Sequence, residues 1–454
     1  MEDNKTEPER NAESDQPCSA TARIDDIHPG ETVKRLTFNT VLAAALVLLL
    51  VPADAHGAEG RDGQIRLTVD AGDHPRIDTP LSVPLDSAVH LLGEPLELVE
   101  ITAAGRVPIA CQIETASCPF VHFILPGRTE SGAKRIFELV PDQQGNEKHV
   151  RAVRDKKTLR IVCNEKEVLA YNHAPMPPPE GKSALYRRSG FIHPLRSPAG
   201  EALTRIHPPD HVHHMGLWNP WTKARFEGRH IDFWNLGAGT GTVRFRRFAS
   251  TTDGPVLGGF NALHEHVDLS APDKEKIALY ENWDVRVWNL GDSDTKGWII
   301  DFASHMRCAT ASPLVIDKYR YGGFGFRAAA SFDAGDYLTS EGKTRKDGHA
   351  TRARWCIVHG PTAKGPAGIV FMGHPQNRDY PEPMRIWNNR PEIFFNFCPV
   401  QAAEWTLEGG AVYLLKYRLY VYDGTIAADV AERLQRDFGE PPAVTVETLV
   451  PEKK

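Results

Sequence analysis

The feature that most constrains this chain is a recurring two-residue alternation of apolar and polar side chains. Ile65-Arg66-Leu67-Thr68-Val69 shows it first, and it returns at 96–101, 121–125, 242–246, 281–288 and 413–422. A period of two puts successive side chains on opposite faces of a strand, so each segment offers one face to a core and one to solvent. Gly, Pro, Asp and Asn bound the segments, and 37 glycines with 34 prolines favour turns over long helices. One stretch repeats at helical spacing: Val430, Leu434 and Phe438 within 427–438, stopped by Gly439 and Pro441-Pro442. No strand–helix–strand alternation is visible. The expected fold is mostly β, an antiparallel β-sandwich. Pro175, Pro177, Pro178, Pro179 and Gly181 mark 174–182 as a stiff linker. It would divide a small N-terminal β-domain, 57–173, from a large β-sandwich domain, 183–450.

Residues 1–56 read as a polar extension plus a secretory signal. They hold 5 Lys/Arg and 10 Asp/Glu. Lys34-Arg35 precede an unbroken apolar run over 41–51, and Ala53-Asp54-Ala55 follows, the order of a cleavable signal. The run is 11 residues, against the roughly 20 that span a bilayer. The acidic segment 1–32 does not suit the start of a signal, which points to Val33 as the true first residue. The mature chain is expected to be exported, periplasmic or secreted, with no membrane span. Its 48 basic and 49 acidic residues nearly cancel, so nothing electrostatic argues for nucleic acid. Six cysteines remain once Cys18 leaves with the signal, with no C-x-x-C. Buried thiols are expected, although Cys111 and Cys118 could bridge a hairpin.

The chemistry concentrates in 186–235. His193, His207, His211, His213 and His214 fall within 22 residues, where the chain average is about one. Asp210, Trp218, Trp221, Asp232 and Trp234 lie among them. One reading is a divalent metal: on an extended strand His211 and His213 face one way and His214 the other, and an H-x-H pair chelates. His207, Asp210, Asp232, Glu281 and His374 are candidate completing ligands. A second reading is acid–base chemistry on a sugar, because imidazole titrates near neutrality and a carboxylate fixes its tautomer. Tryptophans would then stack on pyranose faces. A third is packing alone. Other segments are candidates for the same place: the glycine-rich 321–327 with Arg327, and His374 with Asn377 after the expected strand 368–372. Arg352 and Arg354 read as a salt-bridged strand. No G-x-S-x-G occurs, and no mature cysteine has an adjacent histidine, which leaves a covalent serine or cysteine mechanism unsupported.

The run 186–195, then 197–200, then Asp210-His211-Val212-His213-His214-Met215-Gly216-Leu217-Trp218 and Asp232-Phe233-Trp234 resembles the secreted bacterial family labelled PmoA-like. Gly325-Phe326-Arg327, 352–355, 374–377 and Tyr417-Arg418 with Asp423-Gly424 extend the likeness over about 65–425. The family usually reads Asp-His-Pro-His-His-Arg-Gly-Leu-Trp; Val212 and Met215 depart from it, and Met215 removes a charge. The resemblance implies a carbohydrate setting and a larger domain similar to the galactose-mutarotase-like supersandwich. The methane monooxygenase subunit of that name crosses the membrane several times; this chain has no such segments, so methane oxidation is not implied.

The expected protein is therefore a carbohydrate-active enzyme, a hydrolase, lyase or epimerase, with Asp210, His211, His213, His214 and His193 as catalytic candidates. Trp218, Asp232, Trp234, Arg327, His374 and Asn377 are the substrate-binding candidates. The alternatives are a metal enzyme using His211 and His213 with one divalent ion, and a non-catalytic glycan binder.

Overall fold

Two eight-stranded antiparallel sheets face each other across the main core. In the computed structural model, residues 64–85, 96–115, 118–141, 147–291 and 296–449 are described; the signal and Cys18 lie outside them. The front sheet runs Met384–Ile386, Phe394–Phe397, Gly325–Arg327, Leu217–Trp218, Phe191–Leu195, Lys166–Asn172, Thr158–Cys163, Val150–Arg154. The back sheet runs Gly241–Thr252, Leu257–Asp268, Lys276–Trp288, Trp298–Cys308, Tyr413–Asp423, Gly365–Gly373, Trp355–Thr362, Asp336–Thr339. The fold is the mostly-β antiparallel sandwich that the alternation predicts.

Alternation decides what each strand buries. Ile192, Leu217, Phe326, Phe395 and Phe397 of the front sheet meet Phe302, Phe371, Tyr417 and Leu419 of the back sheet in one core. Phe326 sits 5.1 Å from Phe371, and Phe397 sits 5.4 Å from Tyr417, ring centroid to centroid. Burying each such side chain stabilises by roughly 1.5–3 kcal/mol. Their chain neighbours Phe191, Trp218 and Phe394 point the other way. With Met215, Trp234 and Trp387 they form a separate aromatic cluster on the outer face of the front sheet. Cys163, Cys308, Cys356 and Cys398 are buried thiols.

The N-terminal part forms a five-stranded and a three-stranded sheet around its own core of Leu67, Val69, Leu98, Phe123 and Phe137. Two boundaries differ from the sequence reading. Strands over 150–172 belong to the front sheet, because Lys166–Asn172 pairs with Phe191–Leu195. The prolines of 174–182 thus lie in the connection between two adjacent antiparallel strands of one sheet rather than in a link between bodies. The last strand, Ala443–Leu449, leaves the large domain and pairs with Gln64–Asp70 of the N-terminal sheet. Ahead of it the helix Ala428–Gly439 packs on the back sheet, and Asp437 accepts from Arg76 (3.1 Å) and Thr79 (3.0 Å) of the N-terminal part. No described helix is long and apolar enough to cross a membrane.

Candidate active site

The histidine-rich segment is not an extended strand. The amide of His211 donates to the Pro208 carbonyl (3.0 Å), and that of His214 donates to the His211 carbonyl (2.9 Å). The His207 amide donates to the His214 carbonyl (2.9 Å), closing 207–214 into a loop of two turns. Pro208-Pro209-Asp210 suits a turn and not a strand interior. Side-chain alternation therefore does not apply. His211 and His214 stack at 4.7 Å, while His213 meets both edge-on at 5.5 and 4.8 Å. Gly216 returns the chain to the sheet with φ +72°, and a Cβ there would lie 2.4 Å from the Ile192 carbonyl oxygen. Only glycine fits.

Asp210 organises the loop. Its Oδ2 lies 2.9 Å from His211 Nδ1, and Arg327 Nη2 donates to both its oxygens at 2.8 and 2.7 Å. Arg390 Nη1 is 4.0 Å away. Arg327 comes from the adjacent front-sheet strand and is wholly buried, whereas the Asp210 and His211 side chains keep 22% and 23% exposure. Trp387 lies beneath: His211 is 4.8 Å from its ring, and the guanidinium groups of Arg327 and Arg390 sit over it at 4.8 and 5.0 Å.

Protonation follows from this packing. Partial burial works to raise the Asp210 carboxyl, but bonds from His211 and Arg327 outweigh it and hold it below the usual range. Burial lowers His211, assisted by Arg327 and Arg390 and opposed by Asp210. Burial brings His213 down to about 4, with His211 and Arg188 adding to the effect. His214 is driven well below its ordinary value, first by burial. All three rings are neutral near pH 7.

The candidates separate into groups. Asp210, His211 and His213 share the partly open face, with Arg327 buried behind Asp210. His214 is buried against Trp218 (5.1 Å) and Phe394 (5.1 Å), with Nδ1 unpartnered. Trp218 and Trp234 are 0% and 2% exposed, so they support the site from below and do not form an open sugar platform. Their indoles flank Gly325, whose missing side chain makes room for them. His193 stands beside Gly216 with Nδ1 2.9 Å from Thr204 Oγ1, at about 4 through burial and the Arg196 charge. The Asp232 carboxylate is used up locally: it accepts from the Trp234 and Asn235 amides and from Asn235 Nδ2. His374 and Asn377 belong to the other side of the sandwich. His374 packs on Phe438 of the helix at 5.1 Å. Asn377 is buried, donating to Glu382 (2.9 Å) and to the Lys416 carbonyl (2.8 Å). Arg352 and Arg354 pair with Asp379 and Glu432, as expected of a salt-bridged stretch, but they precede the strand Trp355–Thr362 rather than lie in it.

As a metal site the histidines are incomplete. His211 has Nδ1 committed to Asp210. Among the described residues, the one group of three potential ligand atoms within 4.8 Å of one another is Asp73, His74 and Glu440. Sequence reasoning missed Trp387, Arg390, Phe394 and Arg385. For the first, second and last of these the signal was available in Arg385-Ile386-Trp387-Asn388-Asn389-Arg390, a dense run of planar polar and aromatic groups.

Among solved structures, the chain is similar to an alpha-mannosidase from Enterococcus faecalis V583, with 8% identity and a TM-score of 0.44, over 86% of this chain and 46% of that one. It is also similar to the heparan sulfate lyase HepC from Pedobacter heparinus, with 10% identity and a TM-score of 0.31, over 61% of this chain and 37% of the lyase. The chain thus covers less than half the length of either. No curated protein matches it. A family model matches residues 158–436, which takes in the front sheet from Thr158–Cys163 onward, the histidine loop and most of the helix. The chain belongs to the family of unknown function DUF6807.

Proposed function

We propose that the front face is the acid–base site of a carbohydrate-active enzyme, a hydrolase, lyase or epimerase working on a glycoside or sugar derivative. The Asp210–His211 pair carries this reading: a partly exposed imidazole 2.9 Å from a carboxylate that a buried arginine clamps. An ionised carboxylate at Nδ1 selects the Nδ1–H tautomer and leaves the Nε2 lone pair free to take a proton. A neutral ring at pH 7 is the state a general base requires. His213 is the neighbouring second proton carrier. The sugar class is supported by the surroundings: Arg390, His213, Tyr321 and Asn388 offer guanidinium, imidazole, phenol and amide groups at the surface. Such groups suit a polyhydroxylated ligand better than an apolar one. Export through the 33–56 leader and kinship with the PmoA-like proteins belong to the same proposal.

The test is turnover of a panel of neutral and acidic oligosaccharides, read by new reducing ends, unsaturated products and epimer signals. Wild type should turn over at least one member, and His211→Ala should slow it by about 10²–10⁴-fold. Unchanged turnover in His211→Ala would remove the basis of the reading. Binding without product across the panel would leave a glycan-binding protein instead.

A further inference from the structure

The front face carries more positive charge than its carboxylates answer. Arg385 Nη2 donates to Tyr321 Oη (3.0 Å), its Nη1 lies 2.8 Å from His349 Nε2, and its Nε has no partner. Arg320 lies over the Tyr321 ring at 5.6 Å. Among the described residues neither Arg320 nor Arg385 has a carboxylate within 4.0 Å. Trp387 Nε1 donates to the same Tyr321 hydroxyl (3.2 Å), which joins this group to the Arg390, Arg327 and Asp210 end of the face. Arg327 supplies the second observation. It is wholly buried, yet its Nε and Nη1 have no partner. Arg327 and Arg390 thus share one carboxylate, Asp210, with His211; Arg205 with Asp333 and Glu392 add one cation and two carboxylates on the Arg327 side, and Arg320 and Arg385 are left without a carboxylate. Donors left unpartnered in a buried guanidinium are costly unless something answers them.

We infer that this strip, from Arg320 and Arg385 to Arg327 and Arg390, is the subsite for the oxyanion of an acidic sugar, a uronate carboxylate or a sugar sulfate. The planar fork of a guanidinium matches either group with two parallel hydrogen bonds. A sugar ring held there by its oxyanion lies against the half-buried Tyr321, with His211 at the end of the strip and the buried Trp387 supporting both from below. This inference rests on the acid–base reading and names its substrate class. Neutral sugars lack the group that these arginines answer.

The test is calorimetric binding of short oligouronates, their methyl esters, their sulfated counterparts and neutral analogues to the full chain. Wild type should bind an acidic oligosaccharide about tenfold or more tighter than its methyl ester. Arg385→Gln should bring the acid down to the level of the ester and leave ester binding unchanged. Because Arg385 lies on a strand, Arg320→Gln, whose side chain is exposed, gives the same readout without touching the fold. Tighter binding of the sulfated member assigns sulfate; tighter binding of the uronate assigns carboxylate. Equal affinity for acid and ester, or equal weakening of both by the arginine variants, overturns the inference. If a neutral sugar is then still turned over in a His211-dependent way, the acid–base reading stands. If no saccharide of any kind binds or reacts, both fall.

Discussion

Of the histidine–carboxylate pairs among the described residues, two in the large domain have nearly the same length in opposite surroundings. On the front face His211 Nδ1 lies 2.9 Å from Asp210, with both side chains about a fifth exposed. Inside the sandwich His266 Nε2 lies 2.8 Å from Glu281, with both side chains fully buried. In the buried pair the other Glu281 oxygen accepts from Asn219 Nδ2 and Ser304 Oγ, each at 2.6 Å, while His266 Nδ1 has no partner. Burial works to raise Glu281, but the His266 bond and the nearby imidazoles hold it at about 2. His264, packed beside it and 2.6 Å from the Tyr171 hydroxyl, is lowered to about 4 by burial. The front pair has the same ingredients, an open edge and unpartnered cations around it. The buried pair is enclosed by protein on every side, whereas the Asp210–His211 pair keeps an exposed edge within reach of a ligand.

Several substitutions would sharpen or break that contrast. The largest effect is expected at Asp210→Asn. It should slow turnover of the best panel substrate by about 10²–10⁴-fold, because the imidazole loses the partner that sets its tautomer. Equilibrium denaturation should show a loss of about 1–3 kcal/mol, because an amide answers the buried Arg327 less well than a carboxylate does. Glu281→Ala should act on stability alone. Removing one partner of a buried charged pair costs about 3–5 kcal/mol, read as a lower urea midpoint. A stable Glu281→Ala protein with impaired chemistry would break the comparison.

Acid should act on both regions through stability. His193, His213, His264 and His374 sit at about 4 in the fold, below the ordinary 6.5. The unfolded chain then binds more protons between those values. Their contribution is complete above about pH 6.5 and is lost as pH falls toward 4, at up to about 1.4 kcal/mol per pH unit for each proton taken up. Glu382 runs the other way. Burial pushes it up to about 7, so its contribution fades as pH rises from about 4.5 through 7. Denaturation midpoints from pH 4 to 8 should rise steeply first and then flatten; a midpoint that is flat from pH 4 to 6.5 would contradict this. The smallest effect is expected at His374→Ala. That residue lines a cleft of about 340 Å³ between the N-terminal strand Arg76–Pro84, the helix and the back sheet, on the far side from His211. Turnover should be unchanged and stability altered by no more than about 0.5 kcal/mol.

Much of the fold was legible because its signal is local. The alternation at 281–288 and 413–422 lies within Lys276–Trp288 and Tyr413–Asp423, and the helix at 427–438 falls one residue from Ala428–Gly439. The domain boundaries were not legible, since which sheet receives 150–172 or 443–449 depends on pairings distant in sequence. Composition likewise pointed to the histidine loop as the candidate site. It did not say that Pro208-Pro209-Asp210 turns the chain, which is what stacks His211 on His214 and moves Asp210 to His211. Nor did it show that Trp218 and Trp234 lie under the sheet face. Arg385 and Trp387 arrive from a strand about 170 residues away from the loop, and only the sheet order brings them there.

The central claim is that His211 waits as a neutral base with its proton on Nδ1. The most direct measurement is nitrogen NMR of the ¹⁵N-histidine-labelled protein across pH, with His211 assigned by its loss in His211→Gln. The account predicts an Nδ1–H tautomer at pH 7, an unprotonated Nε2, and a titration midpoint below 6.5 that shifts in Asp210→Asn. A ring protonated at neutral pH, or one carrying its proton on Nε2, would contradict it.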